Sequence, residues 1–222
     1  KLQRPTKKGK YTPKPKAERL YKPITNNVGR QAFPPQRRCT LRYCDKPVLA
    51  CTNGAYTQYI YSCNGIYDPN ITGAGHQPRY FDQLMAIYNH YTVVASRITV
   101  SVLPPKDLEM VFTIFKDDDT ATNTASSIYA IERQGCSYLA YETTDNPQRG
   151  NVLHNSWTAK SVFPGDPLSR GDLQGDATKN PDEQTYYILT GENYLLTSVN
   201  VTCVAVVEYD VIFDELKSID SS

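Results

Sequence analysis

The chain has 222 residues, 40% of them hydrophobic, with 17 Tyr and 2 Met. That is apolar material for one large domain or two small ones, in a β-branched and aromatic composition suited to half-buried strands. The formal net charge of +1 hides an asymmetry: residues 1–38 carry twelve Lys and Arg against one acid, Glu18, while the rest carry twelve against twenty-two, so a +11 segment precedes a −10 body. No apolar run reaches about 18 residues, which excludes a membrane-spanning helix, and no secretory leader pattern is visible.

Residues 1–36 read as an arm. Six of the 15 prolines fall here, at 5, 13, 15, 23, 34 and 35, interleaved with Lys and Arg and without apolar periodicity. Proline fixes φ and removes donors, so the segment is expected to be extended or disordered. Cations spread along such a strand can follow a phosphate backbone and release its counterions. Lys7, Lys8, Lys10, Lys14, Lys16, Arg19, Lys22, Arg30, Arg37 and Arg38 are therefore the candidate nucleic-acid contacts, and Tyr11 and Tyr21 are placed to stack on unpaired bases. A solvated tail with no partner is the plainer alternative. Lys7-Lys8-Gly9-Lys10 and Arg37-Arg38 are weak matches to nuclear import signals. Residue 1 is Lys rather than Met, so a further upstream segment is expected.

From residue 37 to 222 the pattern becomes alternation, read as one domain. Eight strands are expected, at about 38–50, 55–63, 90–103, 107–116, 137–143, 156–163, 184–190 and 199–213. Thr52-Asn53-Gly54 between the first two carries the Asn-Gly hairpin signal. In the third, Val94, Ile98, Val100 and Val102 are assigned to one face, and in the fourth Leu108, Met110, Phe112 and Ile114. The last strand has the strongest local signal, with Val199, Val201, Cys203, Ala205, Val207, Tyr209, Val211 and Phe213 all on the odd face. Two short helices are expected in the connections, at Phe81–Tyr88, with Tyr80, Phe81, Leu84, Ile87 and Tyr88 on one face, and at Ser126–Arg133.

The connections nearly alternate between short and long. The first-to-second, third-to-fourth and seventh-to-eighth links are brief, whereas 64–89, 117–136 and 164–183 are long. In an eight-stranded antiparallel jelly roll, a two-sheet sandwich, successive connections emerge at opposite ends. The all-β jelly roll is thus the expected fold, slim at one end and bulky at the other, a wedge able to close around a symmetry axis.

The chemistry-bearing motifs resolve to structural roles. There is no G-x-S-x-G, H-E-x-x-H or Walker A pattern, and the His at 76, 90 and 154 are scattered, so no enzyme, cofactor or metal site is expected. Asp117-Asp118-Asp119 could offer oxygens to calcium but lacks the spacing of a calcium loop, and is read as an exposed turn. The six cysteines form no CxxC pair and are read as buried free thiols. Asn70-Ile71-Thr72 and Asn200-Val201-Thr202 match the glycosylation pattern without a secretion signal to support it. In the long connection from Asn64, Asp68-Pro69 starts a turn, Gly73 and Gly75 allow positive φ, and Pro78 closes the loop before the helix. His76 and Gln77 are expected to be buried hydrogen-bonding groups, and Asp68 and Asp82 to serve in turns or as an N-cap.

The run from Asn64 to Tyr91, NGIYDPNITGAGHQPRYFDQLMAIYNHY, with the strand TVVASRITV after it, resembles the capsid proteins of circular, Rep-encoding single-stranded DNA viruses, the circovirus-like group. Asp68, Pro69, Gly73, Gly75, His76, Gln77, Pro78, Phe81 and Asp82 carry the likeness, which is specific over about 64–100 and elsewhere rests on strand order and size. The resemblance implies self-assembly of sixty copies into a T=1-like icosahedral shell, a single-stranded DNA cargo held by the basic arm, and location in the virion with assembly in the host nucleus. A host-cell receptor is a candidate partner; membrane insertion is not expected. The arm here favours Lys where the group typically has a denser Arg tract. A capsid protein of a small RNA virus, or a β-sandwich that binds nucleic acid without assembling, are the alternatives.

Overall fold

The strongest alternation in the sequence becomes the longest strand. In the computed structural model, which describes residues 33–72, 74–103, 109–121, 126–142, 151–195 and 197–218, the strands and helices follow in chain order. They are β1 (Gln36–Asp45), β2 (Val48–Cys51), β3 (Thr57–Ser62), α1 (Phe81–Met85), β4 (Tyr88–Leu103), β5 (Glu109–Asp117), α2 (Ser127–Ile131), β6 (Ser137–Glu142), β7 (Val152–Thr158), α3 (Ala159–Val162), β8 (Gln174–Gly175), β9 (Tyr186–Asn193) and β10 (Val199–Leu216). Among the described residues no helix is long and apolar enough to cross a membrane.

Two antiparallel sheets result. One runs β1-β10-β4-β7, with β2 also on β10 and β8 also on β4; the other runs β3-β9-β5-β6. Counting β1 and β2 as one broken strand and setting β8 aside leaves eight. The first then pairs with the last, the second with the seventh, the third with the sixth and the fourth with the fifth. That nesting is a long antiparallel hairpin rolled into a sandwich, the jelly roll expected from the spacing of the connections.

The core lies between the sheets. Every odd residue of β10 from Val201 to Phe213 is buried, and opposite them stand Tyr61 of β3, Met110, Phe112 and Ile114 of β5, and Tyr187 and Leu189 of β9. Each such side chain removed from water contributes roughly 1.5–3 kcal/mol. Buried phenols keep their hydroxyls satisfied: Tyr209 donates to the Ser62 carbonyl at 2.8 Å, and the Tyr187 and Ser96 hydroxyls lie 2.9 Å apart. β5 is buried on both faces, because α2 covers the other side through Ala130, against Phe115 and Ile188.

Several boundaries differ from the expectation, each for a physical reason. The first strand is not continuous over 38–50: Lys46-Pro47 divides it, since Pro47 cannot donate to a ladder, although its carbonyl still accepts from Cys203 N at 2.9 Å. Val94 does not share a face with Ile98, Val100 and Val102. It is the extra residue of a β-bulge opposite Asp210/Val211, and core-facing parity switches there from Tyr91 and Val93 to Ile98 and Val100. The sixth strand spans 152–158 rather than 156–163, and the chain turns into α3 at Ala159. The first helix stops at Met85, and Tyr88 already belongs to β4. Tyr80 is 70% exposed, off the apolar face assigned to it. The second helix covers only Ser127–Ile131 of the expected 126–133.

The Asn-Gly signal is realised: Asn53 and Gly54 have φ of 51° and 75°, and Ala55 N–H donates to Thr52 O at 2.9 Å. The first-to-second and seventh-to-eighth connections meet at one end of the sandwich, where β5 also begins. Asn53 N–H donates to Ser198 Oγ at 3.2 Å, and Tyr194 N–H to Glu109 O at 2.9 Å. All six cysteines are free; Cys51, Cys63 and Cys203 are buried as expected, but Cys44 is exposed and Cys39 and Cys136 are intermediate.

Candidate nucleic-acid interface

The expected contacts Lys7, Lys8, Lys10, Lys14, Lys16, Arg19, Lys22 and Arg30 lie outside the described residues. Arg37 and Arg38 open β1, and strand alternation sends them to opposite faces. Arg37 borders a groove with Tyr80, Leu84 and Ile87. Arg38 lies on the outer face of its sheet, where its guanidinium engages Asp210 through two nitrogens, Nε at 2.9 Å from Oδ1.

The same face carries two arginines that are not among the expected nucleic-acid contacts. Arg42, two strand repeats beyond Arg38, holds Glu208 with Nε 3.1 Å from Oε1, and Arg97 of β4 takes the other oxygen of the same carboxylate. The ladder sets this up: Arg42 and Arg97 are the register partners of Glu208 on its two sides. Alternation alone put Arg38, Thr40 and Arg42 on one face, but nothing local marked Glu208 or Asp210 as their partners.

Hydrogen bonds from Arg97 and then Arg42 hold the Glu208 carboxyl below its ordinary value of 4.5. A carboxylate with a depressed folded pKa contributes its stability in full above the unfolded value and loses it as pH falls through the folded one. Acidification below about pH 4.5 is therefore expected to loosen the β1 margin first. Hydrogen exchange on a pH series should show β1 amides losing protection before those of β5; simultaneous loss would mean that the pairs do not hold the edge.

The connection between β3 and β4 is pinned from two sides. Asn180 Oδ1 accepts from the Tyr67 and Asp68 N–H groups at 3.1 Å each, and its Nδ2 donates to Asp68 O at 2.9 Å. The Tyr91 hydroxyl accepts from Ile66 N–H at 3.3 Å. Pro69 O accepts from Ser62 N–H at 2.9 Å, folding the chain back on β3. Asn70 is buried, with Nδ2 donating to Tyr59 Oη at 2.8 Å and to Asp45 Oδ2 at 3.2 Å, so the first glycosylation pattern sits on a structural side chain. Burial raises the Asp68 pKa above its ordinary value.

Gly73 lies outside the described residues. Gly75 does not have the positive φ assigned to it; it is required by close approach, since a Cβ there would stand 2.6 Å from Tyr43 Oη. His76 is exposed and Gln77 half-buried, contrary to the expectation of burial. The His76 ring nonetheless anchors the loop, with Nε2 3.1 Å from Cys44 O, Nδ1 2.8 Å from Gln77 O, and its centroid 4.8 Å from that of Tyr43. Pro78 is buried, and Phe81 packs edge-on to Tyr91 at 5.8 Å. Asp82 is not an N-cap: Tyr80 occupies that position with φ 72° and no side-chain cap, and Asp82 falls in the first turn.

Asp117 is turned onto Arg133, and Asp119 Oδ1 accepts from Ala121 N–H at 2.9 Å, so the acidic triplet is engaged in local contacts. Among the described residues no group of three His, Cys, Asp or Glu is disposed to hold a metal ion.

No family model and no curated protein sequence matches the chain. Solved structures do. A T=1 subviral particle of a Penaeus vannamei nodavirus capsid protein deletion mutant matches with a TM-score of 0.50 at 10% identity, over 82% of this chain and 98% of that one. The capsid protein of a BFDV 60-mer matches at 0.46 and 13%, over 86% and 100%. Desmodium yellow mottle tymovirus matches at 0.45 and 12%, over the whole of both chains. At these identities the likeness is one of fold.

Proposed function

We propose that the chain is a structural capsid protein that assembles into a small T=1-like shell and packages single-stranded DNA through its basic N-terminal arm. The observation that carries this reading is the junction at β1: a jelly roll of net −10 is entered by a segment of net +11 at the first strand of its sheet. The fold likeness to the T=1 nodavirus particle supports a shell of this size, and the circovirus-like run over 64–100 supports the choice of cargo. On this reading the long connections supply subunit contacts and the outer surface, the brief ones gather near a fivefold axis, and the protein resides in the virion and passes through the host nucleus.

The test is sedimentation of the purified full chain with and without single-stranded DNA. A discrete shell-sized particle whose absorbance at 260 nm tracks the added DNA is expected. A monomer that binds DNA would replace this reading with a non-assembling nucleic-acid-binding β-sandwich; particles that exclude DNA in favour of RNA would reassign the cargo.

A further inference from the structure

The arginines of the outer sheet face are arranged to present cations rather than to bury them. The side chains of Arg38, Arg42 and Arg97 are 64%, 65% and 67% exposed, while their carboxylate partners are 29% exposed at Asp210 and 18% at Glu208. Solvent therefore meets guanidinium, with the carboxylates beneath orienting it. Three cations over two anions leave the cluster net positive on a body that is otherwise net negative. Beside them a depression of about 290 Å³ is lined by Thr40, Ser156, Thr158 and Arg97, together with the two carboxylates Glu208 and Asp210. Hydroxyls and guanidinium forks together are the donors that phosphate oxygens take.

Continuity adds a direction. β1 is the strand that follows the basic segment in the chain, and Arg38 is the first of the three cations in sequence. Arg42 lies four residues on, about 14 Å at roughly 3.4 Å per residue, far enough to meet a different phosphate.

We infer that the outer face of β1, β10 and β4 is a second phosphate-binding surface for single-stranded DNA, with Arg38, Arg42 and Arg97 as its cations and Asp210 and Glu208 as built-in competitors that orient them and are displaced by phosphate. This rests on the packaging function proposed above. Each carboxylate keeps the guanidinium planes ordered, which lowers the entropy lost on binding, yet its charge opposes the incoming phosphate. Removing that charge while keeping the side chain's shape should strengthen binding, an outcome opposite in sign to the loss expected if the pair were only a cross-strand staple.

The experiment uses the unassembled full chain and a fluorescein-labelled single-stranded oligothymidylate, read by anisotropy across a salt series. E208Q is expected to bind about three- to tenfold more tightly. R42Q/R97Q is expected to bind more weakly, its log–log salt slope reduced by about 1.4, since each single-strand phosphate contact accounts for about 0.7. Thermal melting checks that both variants fold; should E208Q melt early, D210N on the same face is read in its place, with the same expected sign. Unchanged or weaker binding by folded E208Q, or a wild-type slope in R42Q/R97Q, would overturn the inference. K7Q/K8Q/K10Q separates the two levels: if it weakens binding while the sheet-face variants do not, only the second surface falls, and if no variant alters binding, the nucleic-acid function falls with it.

Discussion

Gly175→Ala is expected to lower the stability of the subunit by about 3 kcal/mol, the upper part of the range for overpacking a filled core, and with it to abolish the proposed shell formation. A Cβ at Gly175 would stand 2.2 Å from Tyr91 Cζ and 2.4 Å from its hydroxyl. The ring has nowhere to retreat: it is fully buried, 5.8 Å from Phe81 and 6.4 Å from Phe213 between centroids. Its hydroxyl also accepts from the backbone at Ile66 and Tyr67 and contacts Asn180, so any shift loosens both long connections at once. Tyr91→Phe, which keeps the ring and removes only the hydroxyl, should cost about 1–3 kcal/mol for donors left unsatisfied. Urea unfolding of the subunit measures both, and electron microscopy scores shells. A Gly175→Ala protein with wild-type stability and yield would show that the two-residue β8 is not a fixed part of the sandwich.

The fold was legible where the code is local. In β10 a period of two over the odd positions can mean only a strand with one face in a core, and the Asn53-Gly54 turn has no economical alternative. What failed was set by partners far away in sequence. The bulge at Val94 is visible only opposite Asp210/Val211, and from the sequence Val94 looks like one more apolar residue in register. In β7, Leu153 and Trp157 are the buried positions, and their spacing of four fits a strand period and a helix period alike, so the sequence does not mark where β7 ends and α3 begins. β8 is two residues of an otherwise irregular connection and pairs only through Tyr91 and Thr92.

The candidate site divides in the same way. The charge of the arm is a sum over composition and needs no structure to read. Arg38 and Arg42 share a parity, but their carboxylates are 172 and 166 residues away and carried no signal of their own. Asn180 is the clearest case: it clamps Tyr67 and Asp68 from across the fold, yet in sequence it is an ordinary Asn before a proline. Gly75 was recognised as required, for the wrong reason, because a glycine's sequence does not distinguish a positive φ from a close approach to Tyr43.

Replacing Lys7, Lys8, Lys10, Lys14, Lys16, Arg19, Lys22 and Arg30 by Gln is expected to remove most packaged nucleic acid and to make assembly indifferent to it. The substitutions take the segment from +11 to +3 and leave the −10 body unchanged. In a shell of sixty copies, the wild-type arms could balance roughly 660 phosphates by charge counting. On the proposed packaging, arms without a polyanion would repel one another inside the cavity, and bodies of like charge would repel across their contacts. Wild-type chains should therefore form filled shells far more readily than empty ones at low salt. Screening should narrow the gap, since the Debye length falls from about 30 Å at 0.01 M to about 3 Å at 1 M salt. In the substituted protein the arm–arm term is nearly gone, so added DNA should alter neither the yield nor the 260/280 nm absorbance ratio of the particles. Light scattering of nuclease-treated subunits across a salt series, with and without single-stranded DNA, measures both proteins. If the wild type closes equally well empty and filled at low salt, apolar packing between subunits outweighs the electrostatics, and the arm then serves to retain the cargo rather than to drive closure.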